Sequence, residues 1–334
     1  MDNKIYLGID LGTHRSKIVT SYGVEKMVFS VAGWPKDIIA KRFLKRELLF
    51  GEEVLKHRLS LNVCHPVERG VVKNDARDKM MAQHLLEHLV TSAGVKKDSM
   101  VYAIIGVPAQ TTYENKRRLF DISKEIMDNV TVVSEPFAVA YHEGIMDNTL
   151  VVDIGAGTID VCRVHGTVPE EHDQITSYKA GDYIDEVFYG LLKSRYPAAN
   201  FTKRMVQAIK ERYAFVHNVS RSVSAVFPVE GRLEVFDVTE DLRNACESIV
   251  PDIIDNIKRM ISTFDPEFQK TLKDNIYLAG GGSQIEGLPD MLREGLESIG
   301  LVHIRTVDDP VFACAKGALK LAMDMPADYW EATK

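Results

Sequence analysis

Three stretches of this 334-residue chain put a carboxylate or a run of glycines where a strand has to turn. Tyr6-Leu-Gly-Ile-Asp-Leu-Gly-Thr13 recurs in outline as Thr149-Leu-Val-Val-Asp-Ile-Gly-Ala-Gly-Thr158. Each copy is an apolar strand that reaches an acid, Asp10 or Asp153, and then glycine, at Gly12 or at Gly155 and Gly157. β-type residues resume at Ile18-Val19 and at Ile159 to Val161, so two glycine-tipped β-hairpins are expected. Backbone N–H groups left unpaired by such turns are natural anion sites, and phosphate oxygens fit them. Thr13 and Thr158 can add hydroxyl donors and Lys17 a positive charge. A carboxylate beside a polyphosphate needs a cation between them; Mg2+, held largely through its waters, is the expected one at Asp10 and Asp153. Either copy alone reads equally well as a plain tight turn, and two copies half a chain apart weigh against that reading. The third stretch, Asn275-Ile-Tyr-Leu-Ala-Gly-Gly-Gly-Ser283, runs a strand into Gly280, Gly281 and Gly282, where backbone without side chains admits a planar base or an α-phosphate. Its spacing is not that of a dinucleotide fold, and by itself it reads equally as a flexible loop.

The elements that must hold these turns alternate between strand and helix. Val101 to Val107 reads as a strand, and helices are expected over Met81 to Val95 and over about Thr111 to Met127, after Pro108. In the second half Ile184, Val187, Phe188, Leu191 and Leu192 recur at helical spacing across Tyr183 to Ser194, and another helix spans about Lys203 to Val216. A long apolar-periodic stretch from Leu242 to Phe264 contains Pro251, which marks either a kink or a fresh helix start. A strand over Asn275 to Ala279, a helix beginning near Pro289 and a closing helix at about Val311 to Met323 complete the series. Repeated halves of alternating β and α elements imply two α/β lobes around a cleft.

Bulk properties agree with two lobes and remove several classes of function. A chain of this length exceeds what one hydrophobic core comfortably serves, and a composition of 45% hydrophobic and 27% charged residues is that of an ordinary α/β protein. With a net charge of −7 and no basic run longer than Lys116-Arg117-Arg118, there is no source for counterion-driven nucleic-acid binding. Cys64, Cys162, Cys246 and Cys314 form no Cys-x-x-Cys pair and read as reduced, mostly buried thiols of a cytoplasmic protein. Met1 to Lys4 reads as running directly into a strand, so no signal peptide or anchor helix is expected, and no apolar run approaches the ~20 residues of a membrane span. No direct membrane insertion is expected.

In order and spacing, the three glycine-bearing segments resemble the two phosphate loops and the adenosine loop of the actin, sugar-kinase and DnaK-chaperone superfamily. His65-Pro-Val-Glu-Arg-Gly-Val-Val72 resembles an actin segment of the first lobe, and Val132-Val-Ser-Glu-Pro-Phe-Ala-Val-Ala-Tyr141 resembles the connecting helix of bacterial actins. Within the superfamily the chain is most similar to the MamK type of magnetosome actin, over essentially its whole length. That likeness includes segments without catalytic purpose, such as Gly33-Trp-Pro-Lys-Asp-Ile-Ile39, Gly166-Thr-Val-Pro169, Lys179-Ala-Gly-Asp-Tyr183, Asp237-Val-Thr-Glu240 and Pro326-Ala-Asp-Tyr-Trp330. The resemblance implies an actin-like fold: two related RNase H-like α/β lobes flanking a nucleotide cleft, each with a smaller subdomain. It places subdomain IA at 1–32, 66–143 and 311–334, IB at 33–65, IIA at 144–182 and 243–310, and IIB at 183–242.

The same resemblance implies roles for individual residues. Glu135 matches the residue that orients the attacking water, and Asp153 and Asp10 match the acids that hold Mg2+ through water, Asp153 sharing in catalysis. Gly12, Thr13, His14 and Lys17 fall in the first phosphate loop, and Gly155, Ala156, Gly157 and Thr158 in the second. Gly181 and Asp182 match residues near the ribose, Lys210 and Glu211 the helix that covers adenine, and Gly280, Gly281, Gly282 and Ser283 the adenosine loop. ATP and Mg2+ are the implied cofactors. From the residues alone Glu135 reads also as a helix-start residue behind an N-cap at Ser134, and Lys210-Glu211 as a solvated helix face. Lys17 matches a lysine of eukaryotic actin where the nearest relatives often carry a small or neutral residue. Phosphate contact, a solvent-facing side chain and a divergent paralogue all stay open.

The resemblance thus implies an ATPase that polymerises head to tail into cytoplasmic filaments, disassembles after hydrolysis and organises magnetosome chains. Its expected partners are itself and magnetosome-associated proteins. The alternatives are a membrane-associated protein of the MreB or FtsA kind and a small-molecule kinase. No sugar-binding signature supports the kinase, and no peptide-binding domain of the chaperone sort is expected after the closing helix. Residues 33–63 are the expected site of one longitudinal filament contact.

Overall fold

The sequence repeat is a repeat of sheets. The computed structural model describes residues 4–217 and 219–332, so the terminal residues 1–3, on which part of the reading of the N-terminus rests, lie outside the described residues. The chain divides into two compact units, Met1–Met146 with Val311–Lys334 and Asp147–Pro310.

In the first unit β1 (Lys4–Leu11) and β2 (Arg15–Thr20) form the expected hairpin, and β3 (Glu25–Phe29) extends it antiparallel. A small three-stranded sheet follows, with β4 (Ala32–Pro35) at its centre, α1 (Ile38–Leu44), β5 (Leu49–Phe50), α2 (Glu52–His57) and β6 (Leu61–Cys64). β7 (Val67–Glu68) and β8 (Val71–Val72) make a short hairpin ahead of α3 (Ala76–Ser92). Then come β9 (Met100–Val107), α4 (Tyr113–Lys124), β10 (Asn129–Ser134) and α5 (Glu135–Glu143), with β9 and β10 joining β1 in parallel. The order of the main sheet is β10-β9-β1-β2-β3.

The second unit repeats the plan. β11 (Thr149–Ile154) and β12 (Ile159–Val164) form the second hairpin, extended antiparallel by β13 (Gln174–Ser177). Next are α6 (Gly181–Arg195), α7 (Lys203–Tyr213), the hairpin of β14 (Ser224–Val229) and β15 (Arg232–Asp237), α8 (Thr239–Glu247), α9 (Val250–Ser262) and α10 (Gln269–Asp274). β16 (Ile276–Ala279), α11 (Leu288–Gly295) and β17 (Ile304–Thr306) finish the unit, and the two strands add in parallel to give the order β13-β12-β11-β16-β17. Back in the first unit, α12 (Ala313–Asp324) and α13 (Ala327–Ala332) close the described chain.

Burial follows the two periodicities. Leu7, Ile9, Ile18, Ala103 and Ile105 alternate onto one face of the first sheet, where Leu86 and Leu89 of α3 cover them. In the second unit Leu150, Val152, Ile154 and Val161 share a core with Ile184, Phe188 and Leu192 of α6 and Ile253 and Ile257 of α9. Pro251 starts a fresh helix: it occupies the first turn of α9, where a missing N–H costs nothing. α3 begins five residues earlier than its apolar stripe suggests because the Asp75 side chain accepts from Arg77 N at 2.8 Å and caps it. α4 is shorter than expected at both ends, starting behind the Thr112 cap, and α7 stops at Tyr213. The 132–141 segment is not all helix: residues up to Ser134 complete β10, and α5 starts at Glu135. All four cysteines are free thiols; burial and the neighbouring Asp78 carboxylate push even the half-buried Cys64 up to about 12.

The other face of the first sheet is covered by α12, which approaches so closely that a Cβ on Gly317 would clash with the Ala138 carbonyl oxygen of α5. Gly317→Ala is therefore expected to destabilise the protein by about 1–3 kcal/mol through overpacking. Gly190, exposed in the interior of α6 with nothing within 4 Å of a Cβ, behaves oppositely: Gly190→Ala is expected to stabilise by ~0.5–1 kcal/mol. Urea midpoints of the two variants check this, and a wild-type midpoint for Gly317→Ala would refute the tight contact.

Candidate functional site

The parallel strands of the first unit end together, and the candidate residues of that unit gather at their carboxyl edge, where open α/β sheets bind ligands. Asp10 on β1 pairs in register with Gly106 on β9, and Ser134 on β10 pairs with Val107. Glu135 follows as the first residue of α5; a Cβ on Gly106 would lie 3.2 Å from its Cγ. Asp10 and Glu135 thus flank the same glycine. Ser134 does occupy the N-cap position, yet its side chain makes no capping hydrogen bond.

The first turn is tightly built. A Cβ on Gly12 would sit 2.6 Å from the Arg15 carbonyl oxygen, so the chain reverses only with glycine there. Ser30 Oγ donates to Gly12 O at 2.6 Å, and Thr13 Oγ1 accepts from Gly70 N at 2.8 Å, which leaves the threonine proton to be donated elsewhere. His14 stacks edge-on to Phe29 with ring centroids 5.3 Å apart, a packing contact. Lys17 does not face solvent: it lies directly opposite Asp10 across the hairpin, and its Nζ reaches Asp10 Oδ2 at 2.6 Å. The side chains are 15% and 8% exposed, so this is a nearly buried ion pair.

The second turn stands on a different electrostatic footing. Asp153 pairs in register with Asp160, and the two residues are 8% and 1% exposed. Like charges directly opposite each other on one face repel. Asp160 is partly compensated by Thr176 Oγ1, which donates to its Oδ1 at 2.5 Å. Gly155 N donates to Thr158 O at 2.9 Å and closes the turn through Ala156 and Gly157. Two further elements brace it. The first N–H groups of α6 donate into it, Gly181 N to Gly155 O at 3.1 Å and Asp182 N to Ala156 O at 2.7 Å, so a positive helix end abuts the turn. Behind these, Lys210 Nζ of α7 donates to Gly181 O at 2.7 Å and pairs with Asp185 Oδ1 at 2.8 Å. Glu211, by contrast, is exposed on α7.

The triple glycine completes the second cluster. Ala279, at the end of β16, is in register with Asp153. Gly280 has φ +76°, and a Cβ there would run into Asp153 Oδ1 and lie 2.5 Å from Ile154 O. Gly280 is thus required both by its backbone and by the carboxylate packed on it. Ser283, 3% exposed, donates its hydroxyl to Gly280 O at 2.8 Å and so braces the loop. A Cβ on Gly281 would meet nothing within 4 Å.

Among the described residues no three His, Cys, Asp or Glu side chains cluster as a metal site. A cation held mainly through water fits the acid at the turn, Asp153, which has too few protein ligands beside it for direct coordination.

A family model described as MreB/Mbl protein matches residues 4–328. The chain belongs to the MreB/Mbl family. Among MreB/Mbl-related proteins it is 40% identical over 329 residues to the actin-like protein MamK of Paramagnetospirillum magneticum strain AMB-1, covering 98% of this chain and 95% of the relative. A solved structure described as a MamK double helical filament superposes with TM-score 0.94 at 39% identity, covering 97% of this chain and 100% of that one. A non-polymerising MamK mutant bound to AMPPNP gives TM-score 0.74 at 38% identity, covering 97% and 100%. The fold is therefore the actin-like α/β fold that the family resemblance implied.

Four residues that line or brace the candidate turns escaped the sequence reading: Gly106 and Ser30 in the first unit, Asp160 and Asp185 in the second. Asp160 had a signal, since both hairpins separate the paired residues by seven positions, Asp10 from Lys17 and Asp153 from Asp160. The nearly buried Lys17–Asp10 pair makes a test. Lys17→Met is expected to lower stability by about 3 kcal/mol, because it strands a buried carboxylate. The double variant with Asp10→Asn is expected to recover most of that loss. Denaturant titration of the four-member cycle measures the coupling, and additive losses would disprove it.

Proposed function

We propose that this chain is a filament-forming actin-like protein that binds ATP with Mg2+ and hydrolyses it to time disassembly. The observation that carries the proposal is the match along the whole length to a subunit of the MamK double helical filament, with none of that subunit left uncovered. AMPPNP bound to a MamK mutant of the same fold supports a nucleotide triphosphate as the ligand.

On this reading the turns at Gly12–Lys17 and Gly155–Thr158 hold phosphate oxygens with backbone N–H groups and threonine hydroxyls. Asp10 and Asp153 would hold Mg2+ through its waters, and the ion would supply positive charge toward the phosphates. Glu135, set beside Gly106 at the edge that also carries Asp10, accepts a hydrogen bond from the attacking water and aligns it. Gly281, with open space on its side-chain side, admits the base or α-phosphate, and Gly280, Gly282 and Ser283 keep that loop against β11. Gly181, Asp182, Lys210 and Glu211 shape the adenosine end. The first partner is another copy of the chain, and by its MamK likeness the filament lies in the cytoplasm beside magnetosomes, where it positions them.

Sedimentation in Mg-ATP tests the proposal, with Glu135→Ala alongside. Wild type is expected to pellet and later redissolve as phosphate is released. Glu135→Ala is expected to pellet and stay, with hydrolysis slower by about 100-fold or more. If neither protein pellets over a wide range of concentration and salt, polymerisation is wrong. If both redissolve at one rate, Glu135 is not the trigger.

A further inference from the structure

Lys210 stands out because its ammonium is engaged on the protein side. It bridges the Gly181 carbonyl, at 2.7 Å, and the Asp185 carboxylate, at 2.8 Å. Gly181 and Asp182 in turn donate their N–H groups to the Gly155 and Ala156 carbonyls. The contacts run in one direction: Asp185 holds Lys210, Lys210 holds the first turn of α6, and that turn holds the second glycine-rich turn. Asp185 is 8% exposed and sits one turn into α6, on the side facing α7.

We propose that Asp185 is a positioning residue for the second phosphate-binding turn, acting through Lys210 to keep the Gly155 and Ala156 backbone in its ligand-holding conformation and so to slow nucleotide release. This rests on the reading of that turn as a nucleotide site and goes beyond it by assigning control of release to a group that touches no ligand. A carboxylate clamped on a lysine is chemically distinct from a packing residue because it can be switched off by one proton.

The charges around Asp185 set where that switch lies. Burial pushes its carboxyl up to about 6, Lys210 pulls against the rise, and Asp182 on α6 and Glu211 on α7 add to it. Cys246 on α8 also faces the pair, and its thiol is pushed up to about 12, chiefly by burial. Asp185 is therefore ionised and clamped at pH 7.5, and it is progressively protonated as the pH falls through about 6. The linkage runs opposite to acid unfolding. A carboxyl whose folded value lies above its unfolded one favours the folded form at low pH, and that favour is lost as pH rises through about 6. Acid loosening of the turn would thus occur without help from Asp185 toward denaturation.

The test is stopped-flow release of a fluorescent ATP analogue from the full chain, kept dilute enough to stay monomeric, between pH 5.5 and 7.5. Wild type is expected to release faster at the acid end. Asp185→Asn is expected to release about tenfold faster than wild type at pH 7.5, the loss of one charged contact, and to lack the acid acceleration. Lys210→Gln, which removes the other partner, is expected to show the same flat, fast profile. The terminal phosphate of the analogue titrates in this range in every variant, so only the difference between profiles is read. Should Asp185→Asn fail to fold, the pH dependence of wild type against that of Lys210→Gln still decides the matter, because the absolute rate of Lys210→Gln also reflects its place at the adenosine end. Wild-type rates and pH dependence in either variant, or a flat wild-type profile, would overturn the inference while leaving nucleotide binding intact. Equilibrium titration that finds no binding by wild type would remove the nucleotide reading and this inference with it.

Discussion

A carboxylate with less than a tenth of its surface in water must have its charge answered nearby, and the candidate turns of the two units meet that constraint in different ways. The hairpins at Asp10 and Asp153 are alike in turn position and in the seven-residue separation of the facing side chains. They differ in what faces the acid. In the first unit it is Lys17, whose ammonium sits 2.6 Å away, and the hairpin is internally neutral. In the second it is Asp160, itself almost wholly buried, and two carboxyl groups share one face. The backbone is duplicated and the electrostatics are not.

The rest of the second unit follows from keeping Asp153 in place. Gly280 exists as glycine because the carboxylate occupies the space of its Cβ. Parallel pairing of β11 with β16 brings Ala279 level with Asp153 and delivers the triple glycine there. The turn beyond Asp153 is braced by the positive end of α6, whose own first carbonyl is held by Lys210. Strand register, helix end and glycine loop are thus separate consequences of one buried acid. In the first unit the same duty falls on β9, where Gly106 separates Asp10 from Glu135, and on α12, whose glycine lets it settle against α5 behind them.

What the sequence disclosed was local. The glycine-tipped hairpins were legible because Asp, an apolar residue and Gly mark a strand that must turn, and that pattern needs only neighbours in sequence. The long amphipathic helices were legible for the same reason. β10 was not, because Asn129 to Ser134 leads straight into helix, and its strand character comes from pairing with β9. β13 and β17 likewise owe their existence to partners supplied by the rest of the sheet. The ion-pair partner of Lys17 was in principle readable from hairpin spacing. Asp185 was not: it lies between Ile184 and Glu186 on a helix whose apolar stripe explains its neighbours, and only the folded approach of α7 gives it a partner.

The asymmetry of the hairpins bears on which unit holds a cation most strongly. An internally neutral Asp10–Lys17 pair gains little Coulomb energy from a nearby divalent ion, because the ammonium repels it as the carboxylate attracts it. At Asp153 the residue facing it across the hairpin is another carboxyl group, so no ammonium stands there to oppose a cation. On the proposed reading the second hairpin is therefore the principal seat of Mg2+, and Asp10 contributes a hydrogen-bonded, already compensated carboxylate. Lys17 then belongs to the protein's own charge balance before it belongs to any phosphate: a ligand that drew the ammonium away would have to replace the contact that keeps Asp10 buried.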